Sequence, residues 1–353
     1  MAVNAPVTNY SELGVAVLSY KGQKVLDFCI LTSQTGFAIA YLIFIGQQMD
    51  QVICFETLYD TCGEKGLYIF FAAFILVPVC WLRSFKYLAF VSMASNIFLI
   101  FALFVITGYC LRNHEDHPEL SENLTQLNLS ALPLFFGVAV FDFEGNGVVI
   151  NLHASMREPE KFNRVLVSTL TIYVIFLCLF SSIAYWSYGR TIEDMVTLNL
   201  PHDNLTSTVQ VFYCFGLLGS YPMQLIPVFE IIESSNLYRV VPTLASYFPA
   251  KRLFLRTLIV LLSAIGATVV PKFGLFINLI GSFACTALAF ILPVLMYDRM
   301  YKSSLTRKRK VCHIVLVLFG CICGSISCFM SVKEIIAAFS SKSPTSEEIA
   351  NPI

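Results

Sequence analysis

Residues 132–153 read LPLFFGVAVFDFEGNGVVINLH, an apolar stretch with two carboxylates and an Asn between two glycines near its middle. A helix needs about 20 mostly apolar residues to cross the core of a bilayer, so this stretch is long enough to span one. An ionisable side chain at mid-membrane costs about 2.5–3.5 kcal/mol on insertion scales. Asp142 and Glu144 therefore indicate a functional site within a membrane span.

The rest of the chain is equally apolar. Of its 353 residues 57% are hydrophobic and 13% charged, and the formal net charge is zero. This composition excludes a disordered chain, a secreted disulfide scaffold and a basic nucleic-acid binder. It predicts an all-α fold, a polytopic membrane helix bundle of about nine spans. The predicted spans cover residues 26–47, 66–82, 87–109, 131–152, 165–188, 208–230, 253–270, 274–297 and 311–332.

The distribution of cations predicts the orientation of the bundle. With the N-terminus in the cytosol, sixteen of the 23 Lys and Arg residues lie in segments on the cytosolic side and six in segments on the other side. We expect a cytosolic segment at 1–24, a transmembrane domain of nine spans at 25–332 and a luminal or extracellular tail at 333–353. Residues 1–24 lack an apolar core, so no cleavable signal peptide is expected. Near the cytosolic side, Glu230 and Glu233 are expected to meet basic residues.

Three glycosylation sequons fall on the outer side in this orientation, at Asn123, Asn128 and Asn204. A fourth, at Asn9, falls in the cytosol and is not expected to be used. Cys54 and Cys62 share one outer loop, where they either form a local disulfide or remain free thiols. The sequence contains no motif for a metal or another cofactor, and we expect none.

Helix geometry predicts a break in the fourth span. Residues i and i+2 point roughly 200° apart on a regular helix, so Asp142 and Glu144 cannot both face one cavity of an unbroken helix. Gly145 and Gly147 flank Asn146 and would ease a break. A break points the positive end of the second half-helix at a carboxylate ligand, while Glu144 suits an ammonium group or a carried proton. The alternative is a kinked helix in which Glu144 bonds to neighbouring hydroxyls.

The chain also resembles a known family at several motifs. The fourth span and its exit resemble the sixth helix of the amino acid/auxin permease family, and especially of its proton-coupled and vacuolar amino acid transporters. Further stretches resemble that family's third, eighth and tenth helices. The resemblance covers about residues 10–332. The stretches are Pro133–Gly137, Phe143–Val149 and Met156–Pro159, then Tyr10–Gly46, Ser220–Glu233 and Gly281–Pro293.

The resemblance implies a fold of eleven helices in two inverted repeats, with alternating access around broken first and sixth helices. In this chain the first repeat would be incomplete, because the family's first two helices are absent. The implied function is secondary active amino acid transport coupled to protons, with small neutral amino acids, protons and the lipid bilayer as partners and no nucleic acid. A vacuolar or lysosomal membrane is favoured over the plasma membrane.

The resemblance also implies the site residues. The substrate-binding candidates are Phe143, Glu144, Gly145, Asn146, Gly147, Gln34, Tyr41 and Gln224. The candidates for proton coupling are the ionisable residues of the fourth span and its exit, Glu144, Asp142 and His153, of which only Glu144 matches the family pattern. From their residue types alone, Gln34, Tyr41 and Gln224 are equally consistent with hydrogen bonds between helices.

The sequence departs from the family pattern at Asp142, Asn146, Asn151 and His153, where a small residue, an apolar residue, Pro and Glu are usual. With the absent helices, these departures support a second interpretation, a non-transporting nutrient sensor or degenerate paralogue. A third is an incomplete fragment of a longer transporter. An intramembrane enzyme is not expected, because no nucleophile or metal set accompanies the two carboxylates.

Overall fold

The computed structural model of the chain describes residues 10–57, 62–81, 85–121, 124, 128–146, 149, 152–153, 156–235, 248–270 and 272–340. Over these residues the chain is helical and contains no β-strand, which confirms the all-α fold class. Because a bilayer offers no water to backbone polar groups, helices that satisfy these groups internally are the structure expected of apolar spans.

The helices are defined here in chain order. The α-helices are α1 (Tyr10–Val17), α2 (Tyr20–Glu56), α3 (Lys65–Trp81), α4 (Phe85–Asp116), α5 (Leu132–Phe143), α6 (Phe162–Tyr188), α7 (Asn204–Ser234), α8 (Phe248–Val269), α9 (Phe273–Ile280), α10 (Leu292–Met300) and α11 (Arg307–Ser340). Two π-helical segments, Gly281–Cys285 and Ala287–Ile291, join α9 to α10. Short 3₁₀ turns are Pro118–Ser121, Leu129–Ala131, Pro159–Lys161, Gly189–Thr191 and Val196–Asn199.

Among the described residues, seven helical stretches are long and apolar enough to cross a membrane. They are Tyr20–Glu56, Met93–Asp116, Pro159–Thr191, Asn204–Ser234, Lys251–Val269, Phe273–Met300 and Arg307–Ser340. Two shorter apolar helices, Lys65–Trp81 and Leu129–Phe143, coincide with the second predicted span and with the first half of the fourth. The chain is thus a multi-pass membrane protein, while nine crossings remains a prediction.

The outer surface of α6 is apolar and exposed, as expected of a surface in contact with lipid. Val167, Ile172 and Leu179 are each at least 60% exposed along this helix. A soluble protein rarely leaves so much apolar surface in contact with water, and such a surface marks a membrane or a partner interface.

The chain divides into two compact units, each described by itself. The first contains Met1–Ala40, Leu129–Asn151 and Val269–Ile353. In it α5 packs against α9, the following π-helical segment and α11. Gly137 and Gly281 allow the closest approach, because a Cβ on Gly281 would overlap the carbonyl oxygen of Gly137. Small residues at such a contact let two membrane helices meet backbone to backbone.

Helix α11 closes the other side of this contact in the same way. A Cβ on Gly320 would lie 2.7 Å from Cβ of Phe290, and one on Gly324 would lie 2.9 Å from the carbonyl oxygen of Ser282. Deeper in the interface, Asn278 donates to the hydroxyl of Ser331. These polar groups are buried and bonded to each other, as a bilayer interior requires.

The second unit contains Tyr41–Asn128 and Leu152–Thr268. Its centre is α4, which packs on α6 and α7. The hydroxyl of Ser187 donates to the carbonyl oxygen of Cys110 over 2.5 Å. The apolar core at this contact is formed by Ala102, Ile106, Cys110, Ala184, Tyr188, Leu200 and Val209.

A partly buried ion cluster connects α7 and α8 in this unit. The carboxylate of Glu233 contacts Nε of Arg252 at 2.8 Å and Nε of Arg256 at 3.0 Å. Arg256 also donates to the carbonyl oxygen of Cys80 and lies over the ring of Phe229. The prediction that Glu233 meets basic residues is confirmed, and this pairing compensates the otherwise high cost of burying these charges.

The loop between α2 and α3 is short and cross-linked. Cys54 and Cys62 are joined by a disulfide in the structure, with their Cα atoms 4.8 Å apart. Gly63 follows with φ of 89°, a conformation that favours glycine. The carboxylate of Asp50 accepts hydrogen bonds from the backbone N–H groups of Gly63 and Glu64.

We expect Gly281→Ala to lower the stability of the protein by about 1–3 kcal/mol, because the added methyl group would overlap a backbone oxygen that cannot move aside by a rotamer change. Thermal unfolding in detergent measures the effect. Gly108→Ala is the control, since nothing lies within 4 Å of a Cβ at that position of α4. Equal melting temperatures for the two variants would contradict the packing described for α5 and α9.

Candidate functional site

Helix α5 ends in the middle of the stretch that carries the two carboxylates. Its last residue is Phe143, and Glu144 follows in an extended conformation with φ −75° and ψ 123°. Helical backbone resumes at Asn146, and the N–H of Val149 donates to the carbonyl oxygen of Gly145 over 3.1 Å. The break predicted from the sequence is therefore present, at Glu144 and Gly145.

The predicted reason for the break does not apply to Gly145. Among the described glycines only Gly63 and Gly189 have positive φ, so Gly145 does not adopt a conformation reserved for glycine. A Cβ on Gly145 would also meet nothing within 4 Å. Neither backbone strain nor crowding therefore requires glycine at position 145, while Gly147 lies outside the described residues.

Two hydrogen bonds form at the break, one to its own backbone and one to a neighbouring helix. Oε1 of Glu144 accepts the backbone N–H of Asn146 over 2.9 Å, and Nδ2 of Asn146 donates to the carbonyl oxygen of Leu288 over 2.8 Å. Glu144 thus acts as a cap on the second half-helix, whose first N–H groups have no partner within the helix. Leu288 lies in a π-helical segment, a local deformation that is frequent at functional sites.

The carboxylate of Glu144 is buried, with only 9% of the residue exposed. The side chains of Tyr10, from α1, and Cys285, from the first π-helical segment, lie close enough to interact with it electrostatically. Burial raises the pKa of the Tyr10 phenol, and the charge of Glu144 raises it further. In a site of low dielectric constant such a carboxylate is poised to bind a cation or a proton.

Sequence reasoning missed Tyr10, Cys285 and Leu288. Tyr10 lies before the first predicted span and carries no periodic signal that places it near Glu144. Leu288 contributes only its carbonyl oxygen, which every residue possesses. Cys285 has the sequence appearance of an ordinary small buried residue.

Glycine contacts explain how α1 folds back towards this site. A Cβ on Gly14 would lie 2.5 Å from the side chain of Leu26, and one on Gly22 would lie 2.7 Å from Cβ of Leu18. These contacts hold α1 against the beginning of α2, and α1 also contacts α10. The segment predicted to be a cytosolic extension is thus packed on the first unit.

Helix α2 brings a further candidate into the first unit. Gln34 is 1% exposed, and its Oε1 has no hydrogen-bond partner among the described residues. Nearby on α2, Phe37 contacts Phe141 with ring centroids 4.5 Å apart, and Gly36 is in close contact with Ile280. The same stretch of α2 therefore borders α5 and α9.

Two other candidates meet each other in the second unit. Nε2 of Gln224, on α7, donates to the hydroxyl of Tyr41 over 3.2 Å. For these two residues the sequence is consistent with either substrate binding or a hydrogen bond between helices, and the structure contains the hydrogen bond.

The remaining candidates differ in burial from Glu144. Phe143 and Asp142 are exposed at the end of α5. His153 is exposed as well, and its ring stands edge-on to Phe162 with centroids 5.0 Å apart. Gly147, Asn151 and the sequon at Asn123 lie outside the described residues.

Comparison with known proteins gives a family for this chain. The model of a family described as transmembrane amino acid transporter protein matches residues 3–337, nearly the whole chain. The chain belongs to this family. Its members are transporters and not enzymes, in agreement with the sequence prediction.

Similar proteins in this family come from plants and yeast. The chain is 28% identical over 344 residues to amino acid transporter AVT3B of Arabidopsis thaliana, covering 93% of this chain and 79% of that one. It is 31% identical over 330 residues to amino acid transporter ANT1 of the same plant, covering 89% and 74%. It is also 28% identical over 339 residues to vacuolar amino acid transporter 3 of Saccharomyces cerevisiae. That match covers 93% of this chain and 48% of the yeast protein.

We expect Asn146→Ala to weaken the attachment of the broken fourth span to the π-helical segment that contains Leu288. Loss of the bond to Leu288 leaves a buried carbonyl unpaired, at a cost of about 1–3 kcal/mol. Local opening should then raise the rate at which a thiol reagent modifies the fully buried Cys285 by about 5–150-fold, as resolved by mass spectrometry of its peptide.

Asn199→Ala is the matched control. Asn199 makes a bond of the same kind, from its Nδ2 to the carbonyl oxygen of Thr191 over 2.9 Å, in a loop of the second unit. The control should leave modification of Cys285 unchanged. Equal rates of Cys285 modification in the wild type and in Asn146→Ala would show that the bond to Leu288 does not stabilise the packing around the break.

Proposed function

We propose that this protein is a secondary active amino acid transporter coupled to protons, working by alternating access around the break at Glu144 to Gly147. One observation carries the proposal. The buried carboxylate of Glu144 accepts a hydrogen bond from the backbone N–H of Asn146, at the start of the second half-helix. That position is also the one best suited to the carboxylate of an amino acid.

Glu144 and the substrate would compete for the same N–H group. When ionised, Glu144 accepts this hydrogen bond and adds a second negative charge that repels the substrate carboxylate. When protonated, it loses the charge, accepts more weakly and leaves the N–H free. A proton and an amino acid would then bind together, which is the requirement for proton-coupled symport.

Other candidates in the first unit add to the proposed substrate site. The Oε1 of Gln34, which has no hydrogen-bond partner among the described residues, would accept from the substrate ammonium group. Phe143, Gly145 and Gly147 would contact the substrate along the break. Tyr41 and Gln224 bond to each other in the second unit and remain substrate-binding candidates from the family resemblance alone. Neutral and compact neighbours such as Asn146 and Cys285 favour small neutral amino acids. Among the candidates for carrying the proton, burial favours Glu144 over Asp142 and His153.

We further propose a vacuolar or lysosomal membrane as the location, since the yeast relatives are named vacuolar amino acid transporters 3 and 4. The proposed topology has nine spans, a cytosolic segment at 1–24, a transporter domain at 25–332 and a luminal tail at 333–353. It is supported by the excess of Lys and Arg in the segments assigned to the cytosol.

The direct test is Glu144→Gln in proteoliposomes. In the wild type, we expect acidification of the substrate side to raise apparent affinity for neutral amino acids, by about 5–150-fold for a typical coupling free energy. A pH gradient should also drive accumulation. Glu144→Gln cannot carry the proton, so we expect exchange of labelled substrate across the bilayer to persist while gradient-driven accumulation is lost.

Glu193→Gln is the control for this test, because Glu193 is exposed in the loop before α7 and should not affect coupling. Accumulation by Glu144→Gln at the level of the wild type would refute the role of Glu144. Absence of uptake and exchange in the wild type, despite binding of amino acids, would favour a nutrient sensor instead.

Glycosylation tests the proposed topology. Asn128 is exposed, whereas Asn204 begins α7 and the Thr206 of its sequon is buried. We therefore expect Asn128→Gln to remove a glycosidase-sensitive shift in electrophoretic mobility in cells. Asn9→Gln, in the segment assigned to the cytosol, should leave that shift unchanged, and the reverse result would invert the topology.

A further inference from the structure

The hairpin between α10 and α11 carries a concentrated positive surface. Six exposed cations lie within twelve residues of sequence, three arginines and three lysines. We call this set the hairpin cations. They are Arg299, Lys302, Arg307, Lys308, Arg309 and Lys310.

The nearest carboxylate does not neutralise this surface. Asp298 is the only acidic residue in the stretch 294–313, and its Oδ1 lies 2.5 Å from Nδ1 of His313. Within the described part of the chain, no carboxylate forms an ion pair with any of the hairpin cations. Arg309 has only a long contact to a neutral group, with its Nη1 3.5 Å from the hydroxyl of Tyr297.

The backbone adds to the positive charge instead of offsetting it. Arg307 to Lys310 form the first turn of α11, where the helix dipole presents its positive end and cations are disfavoured. At about 100° per residue, these four side chains also point in different directions around the helix. A single acidic side chain could therefore not pair with all of them, whereas a surface that carries many anions could.

Aromatic residues place the hairpin at the boundary of the membrane. The rings of Tyr297 and Tyr301 lie 4.7 Å apart, and both are partly exposed next to the hairpin cations. Tyrosines of membrane proteins concentrate at the level of the lipid headgroups. A turn closed by the N–H of Ser304 and the carbonyl oxygen of Tyr301 connects α10 to α11.

We propose that the hairpin cations bind the anionic phospholipid headgroups of the adjacent leaflet. Clusters of four to eight Lys and Arg residues next to a membrane helix bind such lipids in other proteins, with each cation contributing in proportion to the surface charge. The ligand is a lipid, because the cations are spread around a helix end at headgroup depth and form no enclosed pocket for a single small anion.

The experiment uses the full chain reconstituted in nanodiscs of phosphatidylcholine with a minor fraction of fluorescent phosphatidylserine or phosphatidylinositol phosphate. Fluorescence transfer from a label on the protein measures enrichment of the anionic lipid around it. We expect enrichment that falls as salt is raised from about 0.05 to 0.5 M, because ions screen exposed charges. Arg307→Gln, Lys308→Gln, Arg309→Gln and Lys310→Gln combined should reduce lipid affinity at least about tenfold.

Two controls keep the interpretation specific. Neutralising the same number of cations elsewhere, at Lys65, Arg112, Arg190 and Lys272, should leave enrichment intact. Exchanging Arg and Lys within 307–310 keeps the charge and should also preserve it. Correct folding of each variant is verified by thermal unfolding in neutral nanodiscs.

Three results would overturn the proposal. These are wild-type enrichment no greater than in the 307–310 variant, enrichment insensitive to salt, and preferential binding of soluble inositol phosphate or an acidic peptide over the lipid. The first would leave these cations only the role of fixing the orientation of α11 in the membrane.

Discussion

The need to satisfy backbone polar groups without water is the constraint on which the rest of this structure depends. Most of the described chain meets it by forming long helices, whose N–H and C=O groups pair internally. The fourth span does not, because α5 stops at Phe143. There the carboxylate of Glu144 accepts the backbone N–H of Asn146, and the side-chain amide of Asn146 donates to the carbonyl oxygen of Leu288.

This solution requires α5 and the π-helical region after α9 to be very close together. Gly137 and Gly281 provide that proximity, since neither site has room for a Cβ. On the other side of the region, Gly320 and Gly324 let α11 approach. The local deformation of the Phe273–Met300 helix and the break in the fourth span are thus parts of one arrangement. The glycines let the backbones of these helices approach, and the side chain of Asn146 bonds to the backbone of Leu288.

In the mechanism proposed above, Glu144 has two roles that compete. As a cap it stabilises the break, and as a buried acid it would hold the transported proton. A change in its charge would then alter the start of the second half-helix directly, with no need for a relay. Tyr10, from α1, lies close enough to interact with the same charge. A residue serving both stability and coupling would explain why an ionisable group is retained in so apolar a span.

The sequence by itself determined the class of fold, the position of most spans, the break near Glu144 and the meeting of Glu233 with basic side chains. These follow from local composition and helical periodicity, which a single chain displays directly. The backbone freedom that the sequence suggests for Gly145 is not used in the structure, because φ of this residue is not positive. It also could not reveal Leu288, Cys285 or Tyr10 as neighbours of Glu144. Only the tertiary structure decided those contacts, because they join residues far apart in the chain and depend on backbone groups and glycine packing that leave no distinctive residue pattern.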